Sequence, residues 1–170
     1  YADNPDEAFN LSLTQVDGMF AVHEIAGSGS VDDEFRVAVM GDSAVWGWLL
    51  ESDETLSACL TNGDFVAADG RPVVAYNFGY PITNATKDLM LLDYALRYNF
   101  DAVLWLVTLE AVYNDNQLDH PIVLDNRARV LDLIAAYDIA LDTSNLEPEA
   151  SFWEQTVVGQ RRQIADWLRL

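Results

Sequence analysis

The stretch Arg36-Val37-Ala38-Val39-Met40-Gly41-Asp42-Ser43 sets the fold class. Arg36 to Met40 is a short apolar run containing β-branched residues, and it stops abruptly at a glycine followed by polar side chains. A continuous apolar run of this length, bounded by a turn signal, reads as a buried parallel strand feeding a loop. Gly41 lets the backbone turn sharply there, and a serine just beyond such a strand is held with its hydroxyl exposed.

Moving toward the C-terminus, the pattern repeats. A second strand is predicted from Pro72 to Tyr76, closing at Asn77-Phe78-Gly79. Between the two strands lies a helix around Glu54 to Leu60, ended by the turn pair Asn62-Gly63. A third strand, Ala102 to Val107, follows a helix that Thr86 is expected to cap, with Leu89, Leu92 and Leu96 on one face. Strand, helix, strand in repetition predicts an α/β domain with a parallel sheet covered by helices, spanning residues 36–170. Two further helices are marked by the stripes Val130, Leu133, Ile134, Tyr137 and Trp153, Val157, Ile164, Leu168. Ser151 and Glu154 have capping-box spacing at the start of the second. That helix meets no Gly, Asn or Pro before Leu170, so it reads as cut rather than finished, with the domain incomplete at its C-terminus.

Residues 1–35 differ in character. They hold eight acidic residues, no Lys or Arg, and the linker-like run Gly27-Ser28-Gly29-Ser30, which together suggest an acidic N-terminal arm. The apolar cluster Met19-Phe20-Ala21-Val22 implies that part of this arm packs on something, either its own domain or a neighbouring chain. His23, beside that cluster, is read as a structural histidine.

Composition excludes several functions. A chain of 170 residues is long enough for one domain with a real core, and its apolar runs fall short of the roughly 18 to 20 residues that cross a bilayer. The net charge of -19 opposes binding to nucleic acid phosphates and to anionic membrane faces. One cysteine, Cys59, rules out an internal disulfide and is read as a small buried apolar residue. The chain starts at Tyr1 without an apolar leader, which suggests a processed product or an excised piece, and processing favours an extracytoplasmic, secreted or cell-surface, location. The carboxylates are many but lack compact metal-ligand spacing, and no cofactor is inferred.

Gly41-Asp42-Ser43 after an apolar strand, followed by Trp46-Gly47, resembles the first block of SGNH (GDSL-like) hydrolases. The second block of that family places a glycine after the next strand, and Asn77-Phe78-Gly79-Tyr80-Pro81 is similar to it. The two blocks stand 36 residues apart, from Ser43 to Gly79, each at a strand end, and the resemblance covers roughly residues 36–110. It implies a flavodoxin-like three-layer α/β/α fold. It also implies a serine esterase or acyltransferase acting on acyl or acetyl esters of carbohydrate or lipid, with Ser43 as nucleophile and the Ser43 and Gly79 N–H groups as oxyanion donors. Asp42, Trp46 and Tyr80 surround the serine as candidate substrate contacts. Trp46, Trp48 and Tyr80 could line a sugar or acyl pocket, or pack in the core.

The chain departs from the family in its later blocks. Where a third block would read Gly-x-Asn-Asp, the aligned residues are Val107-Thr108-Leu109-Glu110, and leucine donates no hydrogen bond. Asn114 is a candidate replacement donor, or a plain loop residue. The late Asp-x-x-His that supplies base and orienting acid is missing; the histidines are His23 and His120. His120 is the candidate base within the chain, or a surface histidine before Pro121. The reading preferred here puts the Asp-x-x-His beyond Leu170. Losing a triad member costs about 10⁴ to 10⁶ in kcat. A second class of function is therefore kept open: a non-catalytic SGNH-like scaffold that assembles through its acidic N-terminal arm, as a homo-oligomer or extracellular assembly subunit. The triplets at Asn10 and Asn84 match the N-glycosylation pattern, and neither is expected to be used.

Overall fold

The structure is a computed structural model, and it describes residues 11–28, 32–113 and 115–146, together with Arg161 and Ala165. The expected capping box at Ser151 and the final apolar stripe lie outside the described residues. The described part is mixed α/β with a small open sheet of three parallel strands.

Strand β1 (Phe35–Gly41) is central, between β2 (Val73–Gly79) and β3 (Ala102–Trp105), giving the order β2-β1-β3. Its register pairs Gly41 with Gly79 and Met40 with both Phe78 and Trp105. All three strands expected from the sequence are present, with their ends shifted by at most three residues. The connection from β2 to β3 must pass β1, so the winding reverses between β1 and β3.

Alternation along the strands separates two layers. Ala38, Met40, Tyr76 and Phe78 point into the main core, whereas Val39 is buried outside that cluster. The main core is closed by helices α1 (Val16–Ala21), α5 (Ala85–Ala95), α7 (Pro121–Leu124) and α8 (Arg127–Tyr137). The short helix α3 (Ser43–Trp46) packs on β1 and β2, and α4 (Leu56–Asn62) packs on β2. Thr55 caps α4 by accepting from Ala58 N–H at 3.2 Å, and Gly63 ends it. Cys59 is exposed on this helix rather than buried, because Ser57 occupies the inward position.

Helix α5 starts two residues earlier than its sequence suggests. Asn84, not Thr86, is the cap: its Oδ1 accepts from Lys87 N–H at 2.7 Å. Thr86 instead donates its hydroxyl to Gln117 Oε1 at 3.2 Å. The inward face of α5 is Met90, Leu91, Tyr94 and Ala95, while Leu89 and Leu92 pack at its margin and Leu96 is exposed. In α8, Val130 and Leu133 are buried as the stripe predicts, and Tyr137 is exposed.

The apolar cluster within residues 1–35 packs on the chain's own domain. Val16, Met19, Phe20 and Ile25, from α1 and the single turn α2 (Glu24–Gly27), belong to the main core. Phe20 stacks on Phe78 with ring centroids 5.2 Å apart and lies 4.5 Å from Tyr94. His23 is buried, its Nε2 is 2.9 Å from Asn77 O, and its Nδ1 accepts from Ile25 N–H. These two contacts assign the proton to Nε2 and fit the structural role expected of His23. No helix among the described residues is long and apolar enough to cross a membrane.

Candidate functional site

The C-terminal ends of the strands converge where the chain leaves β1. Asp42 caps α3 by accepting from Ala44 N–H with Oδ1 at 2.9 Å, so its carboxylate is committed to the loop that carries Ser43. Ser43 is the first residue of that helix and is half-buried. Its carbonyl accepts from both Gly47 and Trp48 N–H groups, which folds the chain back immediately. Gly47 ends the turn in the left-handed region at φ 92°, where a Cβ would also meet Thr55 Cγ2 at 2.7 Å.

Gly79 lies directly beneath this turn. A Cβ added there would lie 2.2 Å from Trp46 N and 2.6 Å from the Val45 carbonyl carbon, so only glycine allows α3 to sit so close to β2. The Gly79 N–H donates to Asn77 Oδ1 at 2.9 Å, while Asn77 Nδ2 donates to Val45 O at 2.9 Å. An oxyanion at Gly79 would have to take over the N–H that now serves Asn77.

Trp46 and Trp48 do not join the core. Both are exposed, with ring centroids 5.7 Å apart, and they continue into exposed Leu49 and Leu50. Tyr80 is half-buried and turned toward the N-terminal segment, where its hydroxyl donates to Leu13 O at 2.8 Å. Burial raises its phenol pKa. Its N–H closes the strand ends by donating to Gly41 O at 3.0 Å.

Neither histidine hydrogen-bonds Ser43. The His23 ring is taken up by Asn77 and Ile25, and His120 stands at the start of α7, where its carbonyl accepts from Val123 and Leu124. Leu109 opens the short helix α6 (Leu109–Tyr113) and is exposed. Asn114 lies outside the described residues. Asn84 is fully buried and donates to Gln117 O at 3.0 Å, so its amide is not available to carry a glycan.

One group of residues beside the site escapes motif reading. Lys87 has no solvent exposure, and its Nζ donates to Gly41 O at 2.8 Å and Tyr80 O at 3.3 Å while pairing with Asp88 Oδ1. Asp88 Oδ2 accepts from Trp105 Nε1 at 3.1 Å. Burial lowers the Lys87 pKa and raises that of Asp88, against the attraction between them. The only sequence signal is a charged pair in the first turn of an otherwise apolar helix.

Two cavities lie elsewhere. One of about 150 Å³ is apolar, between α5 and α8, and is lined by Leu89, Met90, Val130, Leu133 and Ile134 among others. A second of about 430 Å³ includes Tyr113, Asp115, Asp119 and Asn145 in its wall. Ser43 lines neither.

The fold and site together define an open parallel α/β sheet with a serine at the carboxyl end of its central strand. No protein-family model matches this chain, and no curated protein or solved structure is significantly similar to it.

Proposed function

We propose that this chain is the nucleophile-bearing part of an SGNH-type serine ester hydrolase or acyltransferase, acting on acyl or acetyl esters of carbohydrate or lipid. The observation that carries the proposal is the position of Ser43, just past the central strand of a parallel sheet and two residues beyond Gly41, which pairs with Gly79 on the neighbouring strand. In open α/β sheets, ligands bind outside the carboxyl ends of the strands, where the winding reverses. The order β2-β1-β3 agrees with the first three strands of a flavodoxin-like sheet, and its reversal falls between β1 and β3, beside the Ser43 loop.

In this reading Ser43 Oγ attacks the ester carbonyl carbon, and its proton passes to a histidine base. The Ser43 N–H, and that of Gly79 after release from Asn77, hold the oxyanion, with Asn114 as a third candidate donor. Collapse of the tetrahedral species expels the alcohol, which takes the proton back, and leaves an acyl-Ser43 ester for water or an acceptor hydroxyl. His120 is the base candidate within the chain, and a histidine supplied elsewhere is the alternative. Exposed Trp46 supports an apolar or ring-shaped substrate face at this edge. The location that goes with this activity is extracytoplasmic. A fluorophosphonate probe should label Ser43 in the full chain, and an unlabelled Ser43 would defeat the proposal.

A second reading is favoured by the absence of an imidazole on Ser43 among the described residues, and by the commitment of Gly79 N–H to Asn77. In that reading the fold is a non-catalytic assembly subunit. Because residues 16–25 help build the core, its test removes residues 1–10 only. Sedimentation should report an oligomer that this deletion dissociates; a monomeric full chain would exclude it.

A further inference from the structure

Lys87 and Asp88 form a buried ion pair that reaches the carboxyl ends of all three strands. Lys87 holds the carbonyls of Gly41 at the end of β1 and of Tyr80 just past β2, and Asp88 holds the indole N–H of Trp105 at the end of β3. The ammonium donates to Gly41 O and Tyr80 O and ion-pairs with Asp88 Oδ1. Two strand-end carbonyls and a carboxylate thus surround a cation that has no exposed surface.

Stability alone is a poor reason for such a pair. Desolvating two charges offsets most of their attraction, and well-packed apolar residues of similar volume often serve as well or better. An apolar side chain at position 87 could fill the same space, but it could not grip two carbonyls on different strands. What the ammonium adds is a fixed spacing between the loop of Ser43, two residues beyond Gly41, and the loop beginning at Gly79, next to Tyr80. Asp42 also faces it electrostatically. That spacing is the dimension on which an oxyanion site between the two loops depends, since reacting groups tolerate little misplacement.

We propose that Lys87 is a positioning residue for chemistry at Ser43, holding the ends of β1 and β2 at the separation that the reaction requires. The inference rests on the reading of Ser43 as a nucleophile. It assigns Lys87 no contact with the substrate and no proton transfer.

The test compares the full chain with the double variant K87M/D88N, which removes both charges while leaving an acceptor for Trp105. Thermal unfolding, the rate of fluorophosphonate labelling at Ser43, and kcat and KM for p-nitrophenyl acetate are measured on each. The expected result is a melting temperature within a few degrees of the parent, labelling and kcat lowered about 100-fold, and KM little changed. A folded double variant that labels as fast as the parent overturns the role of Lys87 while leaving the Ser43 reading intact. If the parent itself is unlabelled, both fall. Should the double variant fail to fold, K87R decides, since it keeps the charge but moves its donors. A folded K87R with labelling slowed about tenfold or more supports the proposal. A K87R protein that reacts at the parent rate, or that also fails to fold, reduces Lys87 to a structural part and overturns it.

Discussion

Asn77 Nδ2 donates to the Val45 carbonyl over 2.9 Å, tying the helix that follows Ser43 to the neighbouring strand. The other end of the same amide accepts from Gly79 N–H, so one side chain satisfies two main-chain groups in a half-buried place. Asn77→Leu keeps the approximate volume and leaves both groups without that partner. The expected cost is about 1 to 3 kcal/mol for each buried group left unpaired. Urea denaturation measures it, and an unchanged midpoint would mean that Asn77 does not hold the loop.

Gly79→Ala tests the close approach of α3 to β2. The added methyl meets backbone atoms, which cannot rotate away, and overpacking of this kind costs about 1 to 3 kcal/mol. The loop of Ser43 should shift with it, so labelling of Ser43 should slow in parallel with the loss of stability. A variant as stable as the parent would show that α3 is free to move off the strand.

Phe20→Ala tests whether the N-terminal segment is part of the domain. Phe20 is buried among Phe78, Tyr94, Tyr98 and His23, and emptying such a site costs about 3 to 5 kcal/mol. Chemical denaturation of the full chain should show a single transition moved to lower denaturant. A midpoint close to the parent's would mean that residues 16–25 dock only loosely.

Alkaline pH should weaken the fold through two phenols. Burial, and then the hydrogen bond to Glu34, pushes Tyr76 up to about 12; burial and then Asp17 do the same for Tyr94. A phenol in the unfolded chain ionises near 10. Between those values the folded chain binds more protons than the unfolded one, so stability falls as pH rises. The contribution is fully present below pH about 10 and is lost as pH climbs through about 12. Near-ultraviolet absorbance should record late-ionising tyrosines, and Tyr76→Phe should remove one of them and flatten the alkaline fall in stability.

Much of the sheet was legible in the sequence because parallel strands buried by neighbours are written as unbroken apolar runs. Arg36 to Met40 and Ala102 to Val107 both read this way, yet only the first is central. Val103 to Val107 lie at the edge of the described sheet, each 38–48 % exposed, and no local pattern distinguishes an edge from a centre. The helix preceding β3 was placed correctly but capped at the wrong residue, since Asn84 and Thr86 are both good caps and only the partner Gln117, 31 residues from Thr86, draws Thr86 away. Cys59 was misplaced for a related reason: about two turns of helix do not reveal which side faces the sheet. The turn at Ser43 was visible from its glycine and its strand. Lys87 showed in the sequence only as half of a charged pair with Asp88, because its other partners are main-chain carbonyls, which carry no sequence signature.

Ser43 itself makes no side-chain hydrogen bond to a described residue, so Ser43→Ala should leave stability within about 0.5 kcal/mol of the parent. Any chemical effect of that variant is then separable from folding.

The most direct measurement is mass-spectrometric mapping of the full chain after reaction with a fluorophosphonate, with Ser43→Ala as control. The account predicts one adduct, on the peptide containing Ser43, lost in the variant and in heat-unfolded parent protein. An unmodified Ser43, or labelling that persists in Ser43→Ala, would contradict it.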